Sequence, residues 1–187
     1  MGIKLIDFDK KIRPMVIEVM KNARCQRYTP ERLADLQNIL DAKHFYYWSM
    51  DMKKEEYLCD LMTEDFTYRC FVEKKTAPKD QALRSKYVNK SMTTMHMCHQ
   101  PLVWFMDEDH ARGIFQYEDH NTYKDGMTVE GFSVYCDDFR RCEDGLFRIS
   151  TMRLAYKKMN GQLRDVDVPE GWEPKRWEEW KAEREMV

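Results

Sequence analysis

Apolar residues recur at helical spacing in the first third of the chain and alternate with polar ones in the second half. Ile12, Met15, Val16, Val19 and Met20 fall at i, i+3, i+4, i+7 and i+8, one face of a helix. Pro14 fits only in a first turn, so this helix is expected to begin near Arg13. Thr29-Pro30 reads as an N-cap followed by proline at the first helical position. From there Leu33, Leu36, Ile39, Leu40 and Phe45 carry a long helix toward Trp48, ending near Met50. Asp51 is expected to cap a second helix over 52–62, with Tyr57, Leu58, Leu61 and Met62 as its apolar stripe. Residues 65–73 alternate and predict a strand, and 78–90 a third, short helix.

Beyond Met92 the period becomes two. Turn signals at 107–109, 124–126 and 143–145 delimit four long strands, expected near 94–106, 111–123, 127–141 and 146–158. The Asp125-Gly126 and Asp144-Gly145 pairs are the strongest short-range hairpin signals available to a sequence. Helices followed by antiparallel strands predict an α+β fold. Strands this long must twist and curve. The expected architecture is a cone-shaped, curved mixed or antiparallel sheet wrapped around the N-terminal helices. The segments are a helical extension over 1–28, an α+β domain over 29–160 and a tail over 161–187, stapled to the body by Trp177 and Trp180.

Charge narrows the partners. The 31 basic and 33 acidic side chains of the 187 residues leave a net charge of −2, which gives no electrostatic case for nucleic acid or an anionic membrane surface. No apolar run approaches the roughly 18 residues of a membrane span. The N-terminal stretch lacks an apolar export segment, and Ile6 stands where myristoylation needs Ser or Thr, so a cytoplasmic protein is expected. The six cysteines (25, 59, 70, 98, 136, 142) show no C-x-x-C or finger spacing and are expected reduced, mostly buried and metal-free. An aromatic share of 13% and fourteen methionines suit a roomy apolar cavity, although a plain core accounts for most of them.

Alternation places Thr94, His96, Cys98 and Gln100 on one strand face, and Asp119 on a face with Phe115 and Tyr117. Each candidate also has a plain structural use. A strand histidine is usually a hydrogen-bonded structural residue, and Asp51 a helix cap. Tyr46 and Tyr47 serve equally well as core aromatics, and Asp119 as a surface partner of Arg112 or Lys124.

The order Tyr46-x4-Asp51, Leu58-x-x-Leu61-x-x-x-Asp65-Phe66, Met95-His96-Met97-Cys98-His99-Gln100-Pro101 and Tyr117-Glu118-Asp119 resembles the SnoaL-like proteins of the ketosteroid isomerase and scytalone dehydratase superfamily. Within it the chain looks most like the bile-acid 7α-dehydratases. The resemblance covers about residues 30–158. It is most specific over Ser91–Pro101 with Tyr117-Glu118-Asp119, while Asp144-Gly145-Leu146-Phe147-Arg148-Ile149 is typical of the wider superfamily.

The resemblance implies a cystatin-like α+β cone and cofactor-independent elimination beside a carbonyl, with Tyr46, Asp51, His96 and Asp119 in the catalytic positions. Tyr47, Cys98, Phe115, Tyr117, Arg153 and Tyr156 are expected to contact the substrate. The dehydratases carry an arginine where this chain has Tyr156, with Arg153 and Lys157 nearby, which leaves the substrate open.

Such an elimination needs these residue types. Histidine titrates near neutral pH and serves as acid or base. A carboxylate fixes its tautomer. A buried phenol donates to a developing enolate. A second carboxyl kept neutral by apolar surroundings protonates the leaving group. Isomerisation, dehydrohalogenation, polyketide cyclisation and a non-catalytic binding or assembly role are the alternatives on this fold. A hydrophobic small-molecule substrate and a homo-oligomer are expected. Apolar residues on both faces of two strands argue for self-association, and the resemblance favours a trimer.

Overall fold

The computed structural model describes residues 12–70, 76–79, 92–160 and 162–163. Helix α1 (Arg13–Ala23) has Pro14 in its first turn, as its missing N–H demands. Helix α2 (Pro30–Asp51) runs for 22 residues, and the Thr29 hydroxyl at its N-cap accepts from the Arg32 N–H. Its end lies one residue beyond the expected one.

The helix expected over 52–62 is absent. The chain turns at Met52 and Lys53, then makes two short 3-10 segments, Glu55–Tyr57 and Cys59–Leu61. Lys53 has φ 57°, the left-handed conformation that closes a helix. Asp51 caps nothing downstream, because it is the last residue of α2 and its carboxylate is engaged elsewhere.

The strands are β1 (Met62–Cys70), β2 (Thr76–Pro78), β3 (Met92–Phe105), β4 (His110–Tyr123), β5 (Thr128–Arg141), β6 (Phe147–Met159) and β7 (Gln162–Leu163). The four long ones end within two residues of expectation, and β1 begins three residues early. Among the described residues the sheet runs β2-β1-β6-β5-β4-β3, with β7 on β6. β1 pairs with β6 in parallel and the remaining pairs are antiparallel, so the sheet is mixed. Gly126 and Gly145 take φ of 85° and 82° at the two Asp-Gly hairpins, where a side chain would be strained. The helix expected over 78–90 and the tail tryptophans lie outside the described residues, apart from Pro78 in β2 and Lys79.

Two cores lie on opposite faces of this sheet. On one, Ile39, Tyr46 and Tyr47 of α2 pack against Phe115, Tyr117, Tyr135, Phe139, Leu154 and Tyr156. On the other, Ile12 and Val19 cover Ile114, Val134, Cys136 and Ala155. Of the described helices, α2 lies in the embrace of the sheet and α1 on its other face. Part of the apolar surface on the second face, from which self-association was expected, is covered by α1, while Phe132 of β5 stays exposed. Of the five cysteines whose side chains are described, all free, Cys136 is buried while Cys25 and Cys59 are exposed, fewer buried than expected.

β3 is an edge strand with a bulge between His99 and Leu102, where Gln100 takes φ 46°. The extra residue inverts the alternation. Cys98 faces α2 before the bulge, and Val103 and Phe105 do so after it. Gln100 is exposed and does not continue the His96 face. Gln26 clamps the far half of the edge, its Oε1 accepting from Phe105 N–H (2.5 Å) and its Nε2 donating to Val103 C=O (2.8 Å). Among the described residues no helix is long and apolar enough to cross a membrane.

Candidate active site

The C-terminus of α2 meets the near half of β3. Because β3 is an edge strand, the His96 N–H has no strand on its outer side, and Asp51 Oδ2 accepts from it at 2.9 Å. Asp51 Oδ1 lies 2.5 Å from His96 Nδ1 and accepts from the Thr94 hydroxyl at 2.9 Å. Burial raises the Asp51 carboxyl, but its hydrogen bonds and the His96 charge outweigh this and hold it below the usual carboxylate range. An ionised carboxylate only accepts, so whenever the ring is neutral its proton is on Nδ1 and Nε2 keeps a lone pair. Nε2 has no hydrogen-bond partner among the described residues.

Aromatic rings hold the imidazole flat. Tyr47 lies one helical turn before Asp51, on the same face. Its ring stacks on Tyr117 (centroids 5.4 Å apart, 16°) and His96 (6.3 Å, 24°), and His96 stacks on Tyr117 (5.6 Å, 16°). Tyr46, about 140° around the axis from Asp51, meets Tyr135 edge-on at 6.4 Å. The α2 phenol stacked on the imidazole is therefore Tyr47, expected only as a substrate contact, and not Tyr46.

Asp119 stands directly across β4 from His96. It is 3% exposed, so it does not pair with Arg112 or Lys124 at the surface. Its Oδ2 accepts from the Tyr156 hydroxyl (2.7 Å) and from Asn121 (3.0 Å), while Oδ1 has no partner among the described residues. Burial pushes this carboxyl above the usual range against the pull of Tyr156 and His96.

The pair lies over Gly131 of β5. A Cβ there would press into the Tyr156 ring and come within 2.5 Å of Asp119 Oδ1. Gly131→Ala is expected to destabilise the fold by about 1–3 kcal/mol and to break the Asp119–Tyr156 hydrogen bond. Urea unfolding and the tyrosine ultraviolet difference spectrum check the two effects.

The sequence matches the SnoaL-like domain model over residues 31–153. The chain belongs to the SnoaL-like family. Solved structures of the same fold include a candidate scytalone dehydratase from Novosphingobium aromaticivorans (16% identity, TM-score 0.64, covering 76% of this chain and 97% of that one). A hexachlorocyclohexane dehydrochlorinase is similar at 15% identity and TM-score 0.58, over 74% of this chain and 94% of that one. The protein Kfla4162 from Kribbella flavida matches at 18% and 0.60, over 68% and 93%. No curated protein matches this sequence.

In this SnoaL-like domain the other expected contacts divide. Tyr156 and Phe115 face α2, Phe115 fully buried behind the site, and Cys98 is half-buried with burial raising its thiol. Arg153 does not join them. Its neighbours Met152 and Leu154 point into the α2 core, so its own side chain lies on the opposite face. There it donates to Asp138 at 2.7 Å, in a network with Arg112 and Glu18 of the α1 side.

Sequence reading missed a fully buried ion pair, Lys43 Nζ to Asp137 Oδ2 at 2.6 Å, both side chains 0% exposed. The ammonium lies 3.5 Å from the centroid of Tyr135 and 4.9 and 5.1 Å from those of Tyr46 and Tyr47. Burial lowers the lysine and raises the aspartate, each opposed by the other's charge. The signal was present: Lys43 interrupts the apolar stripe between Ile39 and Tyr46-Tyr47, and Asp137 alternates with inward-facing Tyr135 and Phe139. Among the described residues no three His, Cys, Asp or Glu side chains gather as a metal site.

Proposed function

We propose that this SnoaL-like protein is a cofactor-independent lyase that removes water from a hydrophobic, cyclic, steroid-like substrate. The observation that carries the reading is the His96 imidazole, held through Nδ1 by Asp51 and with no partner on Nε2 among the described residues, opposite a buried carboxyl on the neighbouring strand. His96 Nε2 takes the proton from a C–H acidified by a neighbouring carbonyl, and Asp51 stabilises the imidazolium that forms. The electron pair of the broken C–H bond forms the new C=C bond as the C–O bond breaks, and protonated Asp119 donates to the departing hydroxyl, which leaves as water. A phenol of α2 donates to the developing enolate oxygen: Tyr46 is the donor implied by resemblance, and the buried Tyr47 hydroxyl, which has no hydrogen-bond partner among the described residues, is the second candidate.

Two fold relatives support elimination as the reaction type, since their names describe a dehydratase and a dehydrochlorinase. The Ser91–Pro101 and Tyr117-Glu118-Asp119 segments favour a bile-acid-like substrate. Incubation with steroids and small β-hydroxy ketones, watching for conjugated-enone absorbance, tests the reading. Tight binding without turnover across both series would make this a ligand-binding domain instead.

Asp119 sets an upper pH limit on this mechanism. It must be protonated, and its raised pKa keeps it so until the pH rises through that value. A plot of kcat/KM against pH is expected to fall on the alkaline side for this reason, and Asp119→Asn to abolish that limb.

A further inference from the structure

Immediately behind the Asp51–His96 pair stand two residues that the mechanism does not use. Lys53 occupies the left-handed region, φ 57°, at the position after a helix where Gly or Asn is usual. The backbone bonds that close the turn, Lys53 N–H to Met50 C=O and Lys54 N–H to Ser49 C=O, are available to any residue, so a lysine is the strained choice for the turn itself. What lysine adds is an ammonium that donates to Thr94 Oγ1 at 2.7 Å. With one lone pair taken by Lys53, the hydroxyl proton of Thr94 is directed at Asp51 Oδ1, 2.9 Å away. Thr94 is buried and sits two residues before His96 on the same strand.

We infer that Lys53 and Thr94 are positioning residues: through Thr94, Lys53 fixes the carboxylate of Asp51 against His96 Nδ1 and keeps it ionised. This rests on reading Asp51 and His96 as the reacting pair. Among the described residues the groups facing the pair are Tyr47 from α2, Lys53 from the turn, Thr94 from β3, and Asp119 and Tyr117 from β4. Of these, Lys53 supplies the positive charge on the Asp51 side, and its own pKa is lowered by burial against the pull of Asp51.

The test uses the full chain with Thr94→Val, which keeps the shape and deletes the hydroxyl, Thr94→Ser, which restores it, and Lys53→Gly, which deletes the ammonium and relieves the backbone. The Asp51 carboxyl carbon is titrated by NMR, and the hydrogen-bonded Nδ1–H proton of His96 is followed in the same samples. In Thr94→Val and Lys53→Gly the Asp51 titration is expected to move to higher pH and the Nδ1–H resonance to be lost. Thr94→Ser should match the parent, and Lys53→Gly should melt no lower than it. On a turned-over substrate Thr94→Val and Lys53→Gly lower kcat about tenfold with KM unchanged. An unchanged Asp51 titration and a retained Nδ1–H signal in both variants would overturn the inference. Altered NMR signals in a protein that eliminates nothing would uphold the positioning network and remove only the lyase reading.

Discussion

His96→Ala is expected to lower turnover by about 10²–10⁴-fold, the usual worth of a positioned acid–base group, while the fold persists. Among the described residues the imidazole makes one hydrogen bond through its ring, to Asp51. After its removal Asp51 still accepts the residue-96 backbone N–H and the Thr94 hydroxyl, so no buried carboxylate is abandoned. Tyr47 and Tyr117 remain stacked on each other. Enone formation and the thermal melt, measured on the same preparation, separate chemistry from folding. Parental turnover in His96→Ala, or a loss that tracks unfolding, would end its assignment as the base.

Lys43→Met is expected to destabilise the protein by about 3–5 kcal/mol, because it strands Asp137 as a buried, uncompensated charge. In a chain of this length that is roughly a 10 °C fall in Tm. The double variant Lys43→Met/Asp137→Leu should recover most of the loss, since apolar side chains of similar volume replace a buried ion pair at little or no cost. The coupling between the two sites then approaches the sum of the two single losses. Additive thermal melts would show that the pair contributes by packing rather than by charge compensation.

The hairpins and long strands were legible because period-two alternation and the Asp-Gly pairs act locally, and α2 because Thr29-Pro30 is a local start signal. The segment after Asp51 was not. Its apolar spacing fits a helix, but tertiary contacts overrode it: β3 takes the Asp51 carboxylate, and Lys53 turns left-handed to reach Thr94. Two features of the site lay within reach of periodicity. Tyr47 and Asp51 stand at i and i+4 of one helix, which favours Tyr47 over Tyr46. Arg153 and Tyr156 differ by an odd number along one strand, which puts them on opposite faces. The convergence of Asp51, His96 and Asp119 has no local signature at all, since it depends on which element closes the edge of the sheet.

That closure bears on solubility. A fourteen-residue outer strand is a template for intermolecular strand addition unless its free amides are occupied. Here Gln26 occupies one half of the rim, the bulge at Gln100-Pro101 kinks the middle, and Asp51 occupies the amide of His96. Selection against aggregation therefore acts on Asp51 independently of any reaction. A descendant that had lost its chemistry would still be under pressure to keep an acceptor at this position, and an aspartate found there in another family member is not by itself the mark of an enzyme.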